Sequence, residues 1–167
     1  FALHQSGIFV NSEDYEQTQK EILRALKDNA KETFIKHHVK VYEDSSMPIW
    51  KTAEILTFGS ISKIYSNLTP ILQEEIAVDA ELTIKTYKTW LHSFVLVRNI
   101  CAHNGRLWNR EISVFPTIFK KDNLWVPIKY LPKRIGTIIF CIKEMRRKHG
   151  IDNKNWKKEV EKLINEK

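Results

Sequence analysis

One imidazole and several guanidinium groups stand close together past the middle of the chain: Arg98, Asn99 and His103, followed by Arg106, Asn109 and Arg110. An unperturbed imidazole titrates at about pH 6.5, so it can give or take a proton near neutrality. A guanidinium stays protonated and can hold two phosphate oxygens at once. No cluster of carboxylates accompanies them, so the segment lacks the oxygen ligands that hold magnesium or calcium. Such a set suits metal-free chemistry at a phosphodiester, or simple phosphate binding, and no metal or other cofactor is expected.

A helix over 82–104, ended by Gly105, has to carry these residues. At about 100° per residue, Tyr87, Trp90, Phe94, Val97 and Cys101 form one apolar seam, with Cys101 as a small buried residue of it. The opposite side carries Lys85, Lys88, His92, Asn99, His103 and Arg106, with Val95 and Leu96 among them. A helix apolar in front and mixed behind has partners on both sides. A second copy of the chain is the candidate for the back. Asn99 and His103 are stacked neighbours four residues apart. Arg98 lies about 140° round the helix from His103, and only its long side chain brings the two to one phosphate.

The remaining elements are also helical. A helix over 12–38 is capped by Asn11 or Ser12, with Glu13 and Asp14 in its first turn and Ile22, Leu26, Ala30 and Phe34 as its stripe. Pro48 opens a helix over 49–58 that Gly59 stops, and Ser60 caps another over 60–65. Thr69 and Pro70 start a segment over 70–78. Residues 106–132, with Pro116, Pro127 and Pro132, are expected to be irregular or briefly two-stranded. Ile135, Ile138, Ile139, Ile142 and Met145 mark a helix over 132–149, and a last basic helix covers 155–164. The fold class is all-α, a helical bundle in a single domain over 1–167.

Composition narrows the setting. Five Gly and five Pro in 167 residues are too few for an all-β sandwich or barrel. The longest apolar run, 138–142, is far short of the roughly 20 residues that span a bilayer, so no membrane is expected as a partner. Cys101 and Cys141 make no disulfide framework, and a reducing, cytoplasmic setting follows. The chain begins with Phe1 and shows no secretory leader, so it is expected to start inside a longer protein. Charge is uneven: residues 1–119 hold 13 Lys and Arg against 14 Asp and Glu, whereas 120–167 hold 14 against 6. A basic tail favours polyanions, or is merely a solvated face. Lys143, Arg146, Arg147 and Lys148 are its candidate contacts to a nucleic-acid backbone. His37 and His38 are adjacent rather than at metal spacing, His92 can assist on the basic face, and His4 and His149 face solvent. Trp108 and Trp125 can stack on unpaired bases, although packing in a core or interface is the favoured reading.

Residues 97–110, VRNICAHNGRLWNR, closely resemble the signature of the Abi-like (abortive infection, phage resistance) family. Residues 47–50, MPIW, and 56–68, LTFGSISKIYSNL, resemble its other typical block, and the likeness covers about residues 12–150. That family is similar to the HEPN superfamily, whose members are helical bundles, often dimers. Many of them use an Arg-x(4–6)-His motif for metal-independent RNA cleavage. Arg98 and His103 match that motif, and Asn99 matches its frequent polar second position. Where relatives often carry a second histidine directly after the first, this chain has Asn104. The resemblance implies an endoribonuclease of phage defence or a toxin, with RNA as substrate, a homodimer as the active form and an antitoxin protein or RNA as restraint. It also implies a further helical region before Phe1.

RNA cleavage without metal needs a base for the 2′-hydroxyl, an acid for the leaving 5′-oxygen and cations for the phosphorane. One motif supplies one proton-transfer group, His103, beside one fixed cation, Arg98. A two-fold dimer would supply the second pair. The competing expectation is a non-catalytic HEPN-like module that binds RNA or a protein partner. A DNA-binding regulator lacks a recognisable helix-turn-helix.

Overall fold

The computed structural model describes residues 2–42, 46–118 and 133–151, together with 155, 156, 158, 159 and 162. Among the described residues the secondary structure is α-helical apart from short 3-10 turns and one isolated bridge, Phe9 to Leu68. The helices are α1 (Ser12–Asp28), α2 (Thr33–Tyr42), α3 (Ile49–Ile55), α4 (Phe58–Asn67), α5 (Pro70–Asp79), α6 (Ile84–Ala102) and α7 (Ile135–Lys148). The all-α architecture expected from the periodicity is the one the chain adopts. No described helix is long and apolar enough to cross a membrane. The chain divides into two compact units, residues 1–73 and 74–167.

In the first unit α1 packs against α3 and α4. Asn11 caps α1 by accepting from the Asp14 N–H at 2.8 Å, which satisfies one of the free donors at a helix start. The expected helix over 12–38 is two helices. Asn29 ends α1, donating its side-chain amide to the Ala25 carbonyl that its own backbone N–H also reaches. A short polar side chain competing for backbone partners breaks a helix in this way. The stripe then restarts at a new phase: Ala30 is exposed, while Ile35 and His38 are buried. His38 is buried. Its Nε2 lies 2.9 Å from the Ser46 carbonyl, its Nδ1 lies 3.4 Å from Lys51 Nζ, and its ring packs on Tyr42.

The α3–α4 junction also differs from the expected break at Gly59. Thr57, not Ser60, caps α4, accepting from the Ser60 N–H at 3.0 Å. Ser60 instead donates its hydroxyl to Glu21 of α1 at 2.7 Å. Threonine is nearly as good a cap as serine, and a glycine in the first turn of a helix costs little there, so two adjacent signals competed and the earlier one won. A cleft of about 630 Å³ opens here, lined by Lys20, Glu21, Arg24, Ser60 and Lys63 among others.

The second unit is built on α6 and α7, which pack together. Trp90 is 1% exposed and sits with Ala80, Leu82 and Cys141, with Tyr87, Phe94 and Met145 around them. A neighbouring cluster joins Val97, Ile112 and Ile138, with Phe94 and Leu96 packed against it. Burial and the nearby Glu144 push the Cys141 thiol far above its ordinary range, which makes it a packing residue. Residues 106–118 form no strand, and the rest of the expected excursion, including Trp125, lies outside the described residues. Half of the basic helix expected over 155–164 does too, and residues 156, 158, 159 and 162 are helical.

The C-terminal end of α7 is fastened to the turn between α5 and α6. Lys148 Nζ lies 3.1 Å from both the backbone carbonyl and a carboxylate oxygen of Glu81. The ammonium holds the Glu81 carboxyl below the usual glutamate range. A depressed folded value stabilises the protein above the unfolded pKa of about 4.3, and that gain is lost as pH falls through the folded value. Thermal melts should therefore show wild type above Glu81→Gln at pH 7, with the gap closing under pH 4. A gap that persists or widens in acid would contradict the assignment.

Candidate functional site

α6 begins at a Thr83 cap, which accepts from the Thr86 N–H at 3.2 Å, and runs unbroken through Arg98 and Asn99. Its inner face is Trp90, Ser93 and Val97, all buried. The helix extends past the core that covers this face. Cys101 falls at the angle of the seam, yet among the described residues it is exposed. Leu96 is partly buried against the Val97 cluster, so it belongs to the protomer's own core and not to a free back surface. Lys85, His92, Asn99, His103 and Arg106 are exposed.

The end of α6 is a six-residue Schellman cap. His103 is the C-cap residue, and its N–H donates to the Asn99 carbonyl at 3.0 Å. The Asn104 N–H donates to Cys101 O at 3.0 Å and the Gly105 N–H to Ile100 O at 2.7 Å, the two bonds that define the motif. The left-handed residue is Asn104, at φ 52°. Asparagine tolerates that conformation better than other non-glycine residues, which gives Asn104 a backbone role directly after His103. Gly105 is required for a different reason. A Cβ there would stand 2.8 Å from Ile100 Cγ2 and 2.9 Å from Ile100 O. Gly105→Ala should lower stability by about 1–3 kcal/mol, as crowding into packed structure does, and should fray the turn holding His103. Equal unfolding midpoints for the two proteins would refute this.

Arg98 and Asn99 are held to each other, the Arg98 Nη1 donating to Asn99 Oδ1 at 3.2 Å. Among the described residues the His103 ring has no hydrogen-bond partner. The cap thus presents an open imidazole and, five residues earlier and about 140° round the helix, an exposed guanidinium steered by its neighbour. Within one protomer no hydrogen bond joins the two.

A turn follows directly. The Arg110 N–H donates to Leu107 O at 3.1 Å, and Asn109, its third residue, has φ 53°. Arg134, at the start of α7, donates from Nη1 to the Asn109 carbonyl at 2.8 Å. Leu107 points into the Val97 cluster. Trp108 is 80% exposed, so of the two favoured readings, packing in a core or in an interface, the core one does not hold.

The family model described as Abi-like protein matches residues 2–109. The chain belongs to the Abi-like protein family. At the level of the family, this membership supports a role in abortive infection, a form of phage defence. No curated protein and no solved structure matches the chain. The matched stretch of this Abi-like chain includes Arg98, Asn99, His103, Arg106 and Asn109 and stops just before Arg110.

Beyond that stretch, the four candidate backbone contacts on α7 differ in what they already hold. Lys148 is clipped to Glu81 and its side chain is only 11% exposed, so it fastens the fold. Arg147 pairs with Glu144 at 3.0 Å, and Arg146 lies 5.2 Å from the centre of the Trp156 ring. Lys143 is exposed. Among the described residues no group of three or more His, Cys, Asp and Glu side chains stands together as a metal site. Sequence reasoning missed Arg134, for which a lone arginine ahead of a helix gives no signal. It also missed the purpose of Asn104, which an Asn-Gly pair at a helix end does announce.

Proposed function

We propose that this Abi-like chain is a metal-independent endoribonuclease of HEPN type, acting in phage defence in the cytoplasm as a homodimer. The observation that carries the reading is the open His103 ring on a locked helix cap, with Arg98 exposed five residues before it and about 140° round the helix. An external strand can reach both groups, and so can the same groups of a second copy. In the dimer one His103 takes the 2′-hydroxyl proton, the 2′-oxygen attacks phosphorus, and the other His103 protonates the departing 5′-oxygen. The Arg98 guanidinium neutralises the charge that builds on the non-bridging oxygens. Asn99 orients Arg98. Arg106, Arg110, Lys143 and Arg146 add attraction to the RNA backbone. The products are a 2′,3′-cyclic phosphate, or the 3′-phosphate it hydrolyses to, and a 5′-hydroxyl.

The test is incubation of purified protein with RNA in excess chelator, followed by analysis of the new ends. Full cleavage with cyclic or 3′-phosphate ends is expected, and DNA, lacking the attacking hydroxyl, should remain intact. Activity that chelation abolishes and magnesium restores would defeat the proposal.

A further inference from the structure

Trp108 is held out from the protein by a rigid turn. On one side Leu107 is anchored in the Val97, Ile112 and Ile138 cluster. On the other side Asn109 takes a left-handed conformation and its carbonyl is pinned by Arg134 at 2.8 Å. Between these two anchors the indole is left 80% exposed, while Arg106 and Arg110, both exposed, bracket it in the chain. An exposed indole with arginines two residues before and after it in the chain is a surface on which an unpaired base can stack, and such stacking is sequence-tolerant because every base has a π-face. A base inside a duplex offers no free face to it.

We infer that Trp108 is a stacking platform for an unpaired nucleobase, so that the substrate of the Arg98–His103 site is single-stranded RNA; this rests on the ribonuclease reading for the site, though not for the stacking itself. The base that stacks lies next to the linkage being cut, because only four residues separate Trp108 from His103 and the cap and the turn adjoin. A second copy of the chain could bury the indole instead, but the exposed Arg106 and Arg110, two residues away on each side in the chain, favour a polyanion over an apolar partner surface.

The probe is a single-stranded oligoribonucleotide carrying 2′-O-methyl groups, which cannot be cleaved, compared with the duplex of the same sequence. Tryptophan emission of the wild-type protein should be quenched by the single strand and not by the duplex, and Trp108→Phe should lose that change. Trp108→Ala should weaken single-strand binding by on the order of 10- to 100-fold, as loss of one base-aromatic stack does. Its duplex binding, carried by cations, should stay within about two-fold. Equal losses for both probes, no loss for either, or a wild-type dimer that becomes a monomer in Trp108→Ala would each overturn the inference. Because the probe cannot be cut, selective stacking can be seen even if chelator-resistant cleavage is absent. Cleavage that persists without any Trp108 effect sinks the inference alone.

Discussion

On the proposed ribonuclease mechanism, His103→Ala should cut RNA about 10²- to 10⁴-fold more slowly than wild type, the range that positioned acid-base groups contribute. The fold is expected to survive, because the ring is exposed and the cap is made by the backbone N–H of residue 103, which alanine retains. Matched circular dichroism spectra and melting points for the two proteins establish that the loss is chemical. RNA binding, measured with the uncleavable oligonucleotide, should change little. Arg98→Ala should lose about 10²-fold or more, as removal of one transition-state donor does, and Arg98→Lys should recover only part, since a lysine cannot bind two oxygens in a fork. The wild-type rate should follow a bell-shaped dependence on pH, with one imidazole acting as base and the other as acid. Residual activity equal in His103→Ala and wild type would mean that the chain binds RNA or a partner without cutting it.

The largest effect on stability is expected at Trp90. Its side chain is 1% exposed and packs with Ala80, Leu82 and Cys141, and its Nε1 donates to the Thr117 carbonyl at 3.0 Å. Trp90→Ala removes that packing and leaves a cavity, at about 3–5 kcal/mol for an aromatic of this size. Trp90→Phe keeps most of the contact but strands the Thr117 carbonyl, which costs about 1–3 kcal/mol when the group is buried. Urea unfolding should rank wild type, Trp90→Phe and Trp90→Ala in that order. The loss bears on function too. Thr117 also bonds Thr89 through backbone and side chain, so the Trp90 contact fastens 106–118 onto the helix that carries the Arg98–His103 pair. A Trp90→Ala protein as stable as wild type would show that this core does not hold the site.

Much of the second unit could be read from residue types. The apolar seam of α6, its end near Gly105 and the whole of α7 followed from spacing, because a long stripe, a cap signal and a stop signal agreed. The first unit was harder. The stripe Ile22, Leu26, Ala30 and Phe34 keeps its period straight through Asn29, so periodicity alone cannot show that the chain turns there. The side-chain bond from Asn29 to Ala25 decides it, and that bond is a local competition that spacing does not record. At the candidate site, the pair Arg98 and His103 was legible as chemistry, and its accessibility was not. Angle placed Cys101 inside with Trp90, yet burial also depends on what packs over the helix there, and among the described residues Cys101 is exposed. Trp108 fails in the opposite sense: an indole is ordinarily buried, and only the turn that holds it out reveals otherwise.

The cap of α6 also sets a chemical clock. Asn-Gly is the dipeptide most prone to deamidation, in which the nitrogen of the glycine attacks the asparagine side-chain amide and closes a succinimide. In this protein the nitrogen that would attack belongs to Gly105, and its N–H is engaged by Ile100 O at 2.7 Å. Ring closure therefore waits for the last turn of α6 to open. Ageing at Asn104 then reports how often that turn opens, and the isoaspartate it leaves would lengthen the backbone by one carbon immediately after His103, shifting the imidazole out of line without touching it.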